Sequence, residues 1–585
     1  VVAGGLVYNF DGYALLDPDE GRNAEVAREM AVSNDYVLPR LNGLPYADKP
    51  VLYFAAGALV MEVLGPTPLA ARLPSLAFTI ATLLVVGLFT RRLFGREAAA
   101  TAAIVTAATP FTLAYSRTVI FDSALTLWVL LALVGFFLSL EGTGTQGEPH
   151  EAEDTRAAAW YRALAWLALG LGVLTKGPIA FGLPLMVALP YALWCRRARA
   201  LADPVSILLF LAILLPWVFA MSREVPGFLE YVVLTETASR LTTPALERTG
   251  PFWYFLAILP AAVLPWSLVL AFGWLVRRRS RAVHPGSRPD RRLIFLILWL
   301  VVPLVFFSLS QSKRPQYVLP MVPAVGILVG ALWKNARGRL PGVRVASIGM
   351  ALLGVCLLLA RHRIADWVPA TTDVGEQIPI TATVLGGVCL VTGAGAWAWA
   401  SHRGAVLLAL SLPVAAVPFA SAGLMAAIGR QRSAEELASA IQTAAGPVAE
   451  VVGVAAFPPS LPFYLNRTLL LSTTDGVELT SNYLVGSLDL WRTAPDTPLR
   501  DDRWWREAMM HCSRARVFVV RVDDTQTRAF LDGALPLIMV THKYVAYGPC
   551  GTGRLARSRQ LRNPIPPRQY EAPTPMDHTR RGAGS

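Results

Sequence analysis

The chain reads as an all-α polytopic membrane bundle of about thirteen transmembrane helices, followed by a small C-terminal mixed α/β domain on the periplasmic side. Three observations predict this. Hydrophobic residues make up 54% of 585 positions while only 16% are charged, a balance that belongs to membrane proteins. Apolar runs of about spanning length, near 20 residues, recur along most of the chain. From about Ser433 the composition changes to short apolar, β-branched runs separated by polar turns.

The elements follow in order. Residues 1–10 are apolar but too few to cross a bilayer; they read as the C-terminal half of a first transmembrane helix, with a cleaved signal as the alternative. Spans are then expected at 73–89, 98–114, 123–140, 160–174, 179–194, 205–221, 252–276, 293–309, 317–333, 345–360, 380–400 and 404–428. Two further helices are expected to lie on the membrane surface: 22–32, with Ala24, Val26, Ala27, Met30 and Ala31 at broadly helical spacing, and the more apolar 51–64. Beyond Ser433, 435–442 has the pattern of an amphipathic helix, and 448–457, 468–472, 517–522 and 537–545 have the character of strands. The organisation expected is therefore a membrane domain over 1–428, an α/β domain over 433–557 and a disordered Pro-, Arg- and Gly-rich tail over 558–585.

Charge sets the orientation. Alternating the spans across the bilayer puts Arg91, Arg92, Arg96, Arg196, Arg197, Arg199 and the basic run from Arg277 to Arg292 on one side, together with Lys334, Arg337, Arg339, Arg344 and Arg403. By the positive-inside bias that side is the cytoplasm, and the acidic stretch 141–155 does not reverse it because acidic residues contribute little. In a bacterial inner membrane the segment after Ile428 then faces the periplasm. The net charge of +13 is spread as helix-end anchors and does not form a nucleic-acid footprint. Cys195, Cys356 and Cys389 fall in or beside apolar spans; Cys512 and Cys550 fall in the polar C-terminal region, where an oxidising compartment would permit them to pair.

The same walk gathers six polar clusters on the outer face: Asp17-Pro18-Asp19-Glu20, Asp48-Lys49-Pro50, Arg117 with Asp122, Thr175-Lys176-Gly177-Pro178, the stretch from Arg240 to Arg248, and Ser312-Lys313-Arg314-Pro315. Ionisable groups near hydrocarbon are expensive, so a set gathered at one end of many helices reads as an active site. A carboxylate among Asp17, Asp19 and Glu20 can serve as general base or orient an acceptor; standing alone the cluster would read as a helix cap. Lys49 suits a phosphate, and Tyr46 and Tyr53 suit a sugar face. Interfacial anchoring explains any one of these residues equally well. Snorkelling likewise accounts for a single Lys176 or Lys313, but several cations beside several carboxylates on the less basic face call for a substrate carrying phosphate. If a polyprenyl phosphate leaves an anomeric carbon, positioned Lys or Arg groups stabilise the charge that grows on it. No P-loop, dinucleotide fingerprint or HExxH motif offers a competing chemistry. No metal-ligand set is evident among the outer-face acids.

The segments Asp17-Pro18-Asp19-Glu20-Gly21-Arg22-Asn23-Ala24-Glu25 and Pro39-Arg40-Leu41-Asn42-Gly43 through Asp48-Lys49-Pro50 resemble the start of the bacterial aminoarabinose lipid A transferase family, polytopic GT-C glycosyltransferases related to protein O-mannosyltransferases. Later landmarks follow in the same order: Phe121-Asp122, Leu174 to Pro178, 240–251, Ser312 to Pro320 and 461–467. The resemblance implies inverting transfer of a sugar from a polyprenyl-phosphate donor to an envelope acceptor at the periplasmic face, with lipid A the leading acceptor. Asp19 matches the first-loop catalytic or acceptor-orienting carboxylate, with Glu20 beside it and Asp122 as the second acidic position. Lys49, Arg240 and Lys313 match phosphate contacts, and Lys176, Arg314 and Tyr317 join the donor-binding set. Arg22, Tyr46, Asp48, Tyr53 and Arg117 are expected to line the substrate site. Asp48 stands where the family usually carries Glu, so a divalent metal held there is an open question, and no counterpart of the family's metal-binding histidine is found. Protein or polysaccharide is the alternative acceptor. A lipid-linked sugar transporter and a non-catalytic scaffold are the readings from other classes; charges at one end of the helices, away from the midplane, argue against the transporter.

Overall fold

The structure, a computed structural model, describes residues 2–141, 151–232, 250–282, 290–335, 342–367 and 372–551. Arg240, the rest of the expected 240–248 cluster and the tail from 552 lie outside the described residues. Among the described residues nine helices are long and apolar enough to cross a membrane, or eleven if two bent pairs each make one span. The protein is a multi-pass membrane protein.

The difference from about thirteen has local causes. Residues 98–114 form two helices, Arg96–Ala107 and Pro110–Ser116, meeting at 64°; Thr109 caps the second by accepting from the Thr112 amide, and Pro110 opens it. The long run at 252–276 bends by 104° between Tyr254–Ala262 and Trp266–Leu275. Residues 404–428 divide at Ser421 into Arg403–Ala420 and Ala422–Arg432. Ile179–Trp194 has only 16 residues, and the first described helix, Val2–Val7, only six. The other spans keep their expected places, including Pro68–Phe94, Asp122–Glu141, Pro204–Glu224 and Arg291–Leu309.

One of the two expected surface helices is not a surface helix. Asp19–Ser33 buries not only Ala24, Val26, Ala27 and Met30 but also Glu25, Arg28 and Glu29. It is covered on one side by Leu52–Leu64 and on the other by the C-terminal domain. Its charged face finds partners inside the protein: Arg28 pairs with Glu25 at 2.6 Å and donates to Asn466 Oδ1 at 3.0 Å. Glu29 accepts from the Gly43 amide at 2.9 Å.

The C-terminal sheet is preceded in the chain by a two-stranded hairpin near the N-terminal end of the described residues, β1 (Arg40–Leu41) and β2 (Leu44–Pro45). Asn42 and Gly43 both have positive φ, the turn that an Asn-Gly pair favours. The sheet itself has β3 (Glu450–Val454), β4 (Leu470–Ser472), β5 (Leu499–Arg500), β6 (Arg516–Arg521), β7 (Leu537–Val540) and β8 (Tyr544–Cys550), in spatial order β5-β4-β3-β6-β8-β7. β5, β4, β3 and β6 are parallel, while β8 runs antiparallel to β6 and β7 antiparallel to β8. The expected strand at 537–545 is therefore two strands joined by a turn that closes where Tyr544 N donates to Thr541 Oγ1 at 3.0 Å. The helix expected at 435–442 runs Glu435–Ala445. Cys512 and Cys550 are disulfide-bonded.

One apolar cluster joins the first loops to this sheet: Ala24, Met30, Leu41 and Phe54 share it with Phe463, Leu471, Val517 and Val519. The Asn42 side chain extends the seam, donating to Leu469 O at 2.9 Å and accepting from Leu469 N at 2.7 Å.

Candidate active site

Two adjoining chambers sit where the helices meet the C-terminal domain. The larger, about 600 Å³, is walled mainly by apolar groups, among them Leu125, Val173, Leu183, Met186, Leu214, Trp217, Phe306 and Phe307. The smaller, about 140 Å³, is walled by Asp19, Arg22, Asn23, Tyr46, Arg314, Gln316, Thr480 and Asn482. Asp48, Lys49, Asp122, Lys176, Ser312 and Tyr317 line both.

Helix ends explain why these charges are there. Asp122 opens helix Asp122–Glu141 and Lys176 closes helix Glu151–Lys176, so each sits at the end its helix dipole favours. The chain leaves Lys176 through Gly177 at φ +80°, whose amide bonds Val173 O at 2.8 Å; that conformation suits glycine. The Lys176 ammonium pairs with Asp122 Oδ1 and lies 5.7 Å from the centre of the Tyr317 ring. Asp122 is almost wholly buried, and its Oδ2 has no hydrogen-bond partner among the described residues. Trp128 Nε1, donating to Thr175 Oγ1 at 2.9 Å, ties the two helices further along.

Asp19, on the other wall, is 43% exposed at its side chain; Arg22 Nη2 donates to its Oδ1 at 2.5 Å and Arg314 lies 4.0 Å from its Oδ2. Arg22 also reaches the C-terminal domain, donating to Thr480 Oγ1 at 2.9 Å. Lys49 Nζ donates to Asp48 O at 2.5 Å. Asp48 Oδ1 accepts from the Tyr231 hydroxyl and from the Asn482 and Tyr483 amides at 3.1 and 3.3 Å. Its role in the structure is thus to hold a short helix of the sheet domain against the cavity.

Four expected site residues lie elsewhere. Glu20 does not line either chamber: it is buried in a two-pronged ion pair with Arg72, Nε to Oε1 at 3.1 Å and Nη2 to Oε2 at 2.9 Å. The Leu16 and Val119 amides, both at 3.0 Å, occupy its carboxylate as well. Tyr53 is fully buried against Phe121, with its hydroxyl 2.7 Å from Ser75 Oγ. Arg117 donates to the carbonyls of Leu6 and Asn9 at 3.0 and 2.8 Å, closing the end of the first helix. Lys313 caps the C-terminal end of Arg291–Leu309 through Phe307 O and Ser308 O at 2.9 and 2.6 Å. These four shape the loops from behind.

Asp17 also stands back from the chambers. Ser460 Oγ donates to its Oδ2 at 2.8 Å while Oδ1 has no partner among the described residues, and burial pushes the carboxyl up to about 7. Among the described residues no three His, Cys, Asp or Glu side chains are grouped to hold a metal ion. Asp48 serves three donors through Oδ1, while its buried Oδ2 has no hydrogen-bond partner among the described residues.

Sequence reasoning missed Arg72, Tyr231, Thr480 and Asn482. Arg72 carried a usable signal, a charge inside an otherwise apolar helix that must find a partner. Thr480 and Asn482 carried none, because their place depends on how the distant sheet docks.

A polytopic bundle whose helix ends and loops at one face enclose a charged site under an α/β domain is the architecture of the GT-C type of fold. Comparison with known proteins narrows this. Residues 23–232 match the family model for dolichyl-phosphate-mannose-protein mannosyltransferase. The chain is 31% identical over 370 residues to undecaprenyl phosphate-alpha-4-amino-4-deoxy-L-arabinose arabinosyl transferase 2 of Pseudomonas fluorescens, covering 62% of this chain and 60% of that protein. A relative of the same name from Pseudomonas paraeruginosa is 32% identical over 368 residues, 61% of this chain and 64% of its own. These matches thus span less than two thirds of either relative. The crystal structure of ArnT from Cupriavidus metallidurans bound to undecaprenyl phosphate superposes with a TM-score of 0.78 at 24% identity, covering 95% of this chain and 98% of that one. The chain therefore shares the fold of that structure and is similar in sequence to these transferases over about three fifths of its length.

Proposed function

We propose that the protein is an inverting glycosyltransferase of the bacterial inner membrane that moves a sugar from a polyprenyl-phosphate donor to an envelope acceptor at the periplasmic face, with lipid A as the acceptor. The observation that carries this reading is the meeting of an apolar chamber with a polar one at Asp48, Lys49, Asp122, Lys176 and Tyr317. A polyprenyl tail needs hydrocarbon and its phosphate needs cations, and this junction offers both within one continuous wall. The names of the relatives, which specify undecaprenyl phosphate and an aminoarabinose, support the donor class and the sugar transferred.

In this reading Lys49 and Lys176 receive the phosphate at the junction, and Arg314 completes the cationic rim. As the acceptor oxygen forms its bond to the anomeric carbon, the bond from that carbon to the phosphate oxygen breaks, and the lysines stabilise the negative charge left on the polyprenyl phosphate. Asp19 stands in the polar chamber. Toward a phosphate acceptor, already anionic, it orients the acceptor through Arg22 and Arg314; toward a hydroxyl it takes the proton. Burial of Asp122 against Lys176 keeps that lysine aimed at the junction. Orientation toward the periplasm is supported by the Cys512–Cys550 disulfide, which suits an oxidising compartment.

The match of 23–232 to protein mannosyltransferases favours one second reading, a protein hydroxyl as acceptor. Mass spectrometry of envelope lipids and proteins from a deletion strain separates the two: loss of a pentosamine from lipid A supports the first, and loss of a hexose from a protein supports the second. Unchanged lipids and proteins would refute both.

A further inference from the structure

We propose that a third, half-open cavity between the carboxyl ends of the C-terminal strands and the adjoining end of the membrane bundle binds an unphosphorylated or amino-substituted saccharide. The cavity holds about 610 Å³, within the range of about 300–1,000 Å³ typical of small-ligand sites. Its place follows from topology. The parallel strands run β5-β4-β3-β6, so the chain order reverses between β3 and β6. In open α/β sheets ligands bind outside the carboxyl ends of the strands at such a reversal. The walls come from those ends: Ala456 follows β3, Asp475 follows β4, Asp523 follows β6, and Lys543 precedes the antiparallel β8.

The walls also select the chemistry. Dinucleotide sites at such reversals use a glycine-rich turn whose amides meet phosphate, whereas the turn after β3 reads Ala455-Ala456-Phe457-Pro458-Pro459, without glycine and with two residues that lack an amide hydrogen. Asp475, Glu478, Asp523 and Asp524 outnumber Arg432, Arg521 and Lys543 around the cavity. Arg521 is already paired with Asp523 at 2.7 Å, and Arg432 donates to the Asp17 carbonyl at 2.8 Å. The surplus of carboxylate disfavours phosphate and favours hydroxyl and ammonium donors. Thr480 lines both this cavity and the polar chamber beside Asp19, so a glycan held here would lie next to the transfer site. Only the assignment of that glycan to the acceptor rests on the glycosyl-transfer reading.

The test uses the full chain in lipid nanodiscs, with a glucosamine disaccharide and its phosphorylated counterpart as probes. Val477 lines the cavity and is 57% exposed, so Val477→Trp fills space without disturbing a core; Asp475→Ala removes a carboxylate instead. The wild type binds the unphosphorylated disaccharide more tightly than the phosphorylated one, and each variant weakens it about tenfold or more, with undecaprenyl phosphate binding and thermal unfolding unchanged. No binding by the wild type, equal binding by both variants, or preference for the phosphorylated probe overturns the proposal. Competition by the acceptor glycolipid assigns the site to the acceptor's own glycan; saccharide binding without such competition assigns it to a separate glycan. Saccharide binding in a protein with no transferase activity would sink the glycosyl-transfer reading and leave this site standing.

Discussion

Glu20→Gln separates catalysis from architecture. Sequence reasoning groups Glu20 with Asp19 as a catalytic carboxylate, yet in the fold its two oxygens accept two guanidinium bonds from Arg72 and two backbone amides, from Leu16 and Val119. Arg72 is fully buried, with its guanidinium 3.9 Å from the Tyr13 ring and further bonds to the carbonyls of Tyr13 and Ala14. A glutamine keeps one acceptor oxygen, turns a donor toward other donors and leaves a buried cation uncompensated. Breaking such a pair from one side costs about 3–5 kcal/mol, a change of about two to four orders of magnitude in the folded-to-unfolded ratio. The assay is the fraction of detergent-solubilised protein that remains monodisperse after heating, measured beside transferase activity and undecaprenyl phosphate binding. Glu20→Gln should lose thermal resistance and lose binding and turnover in step with it. Asp19→Asn, at a half-exposed side chain, should keep wild-type thermal resistance while transfer collapses. A Glu20→Gln protein as stable as wild type but inactive would refute the reasoning and return Glu20 to the chemistry.

Other outcomes follow from the same geometry. Lys176→Met should weaken undecaprenyl phosphate binding and destabilise the protein, because Asp122 is left buried without its cation; adding Asp122→Asn should recover stability by most of that loss without recovering transfer, as thermal unfolding and activity together would show. The Asp17 carboxyl, raised to about 7 by burial from an unfolded value of about 3.9, binds its proton more readily in the folded state. Its contribution is therefore complete below about pH 4 and is lost as pH rises through about 7; thermal stability measured across that window should fall with pH in the wild type and be flatter in Asp17→Asn. Reduction of the Cys512–Cys550 disulfide, which closes 38 residues of sequence separation, should cost the C-terminal domain about 4 kcal/mol in the chain-entropy account, seen as earlier proteolysis of that domain under reductant.

Much of this protein was legible in its sequence because membrane helices announce themselves by length and apolarity, and the expensive polar residues between them stand out. Asp19, Lys49, Asp122, Lys176, Arg314 and Tyr317 do converge on one pair of chambers. What failed to show was direction. Glu20 sits next to Asp19 in sequence but one residue further along a helix, a turn of about 100° that takes it from the cavity to Arg72. Lys313 and Arg314 part in the same manner, one to helix-end carbonyls and the other to the polar chamber. The bends at Ala108 and near Pro265 were hidden inside continuous apolar runs, because hydropathy reports burial in lipid and is blind to the hydrogen-bond breaks that turn the chain. Thr480 and Asn482 reach the site only through docking of the sheet domain, which a seam of Asn42, Asp48 and Arg22 contacts holds in place.

The most direct measurement is a structure of this chain in a lipid nanodisc with undecaprenyl phosphate bound. The account predicts the phosphate at the junction of the two chambers, within hydrogen-bonding reach of Lys49 or Lys176, and the polyprenyl tail along Leu183, Met186 and Leu214. A phosphate held elsewhere, with both lysines out of reach, would contradict it.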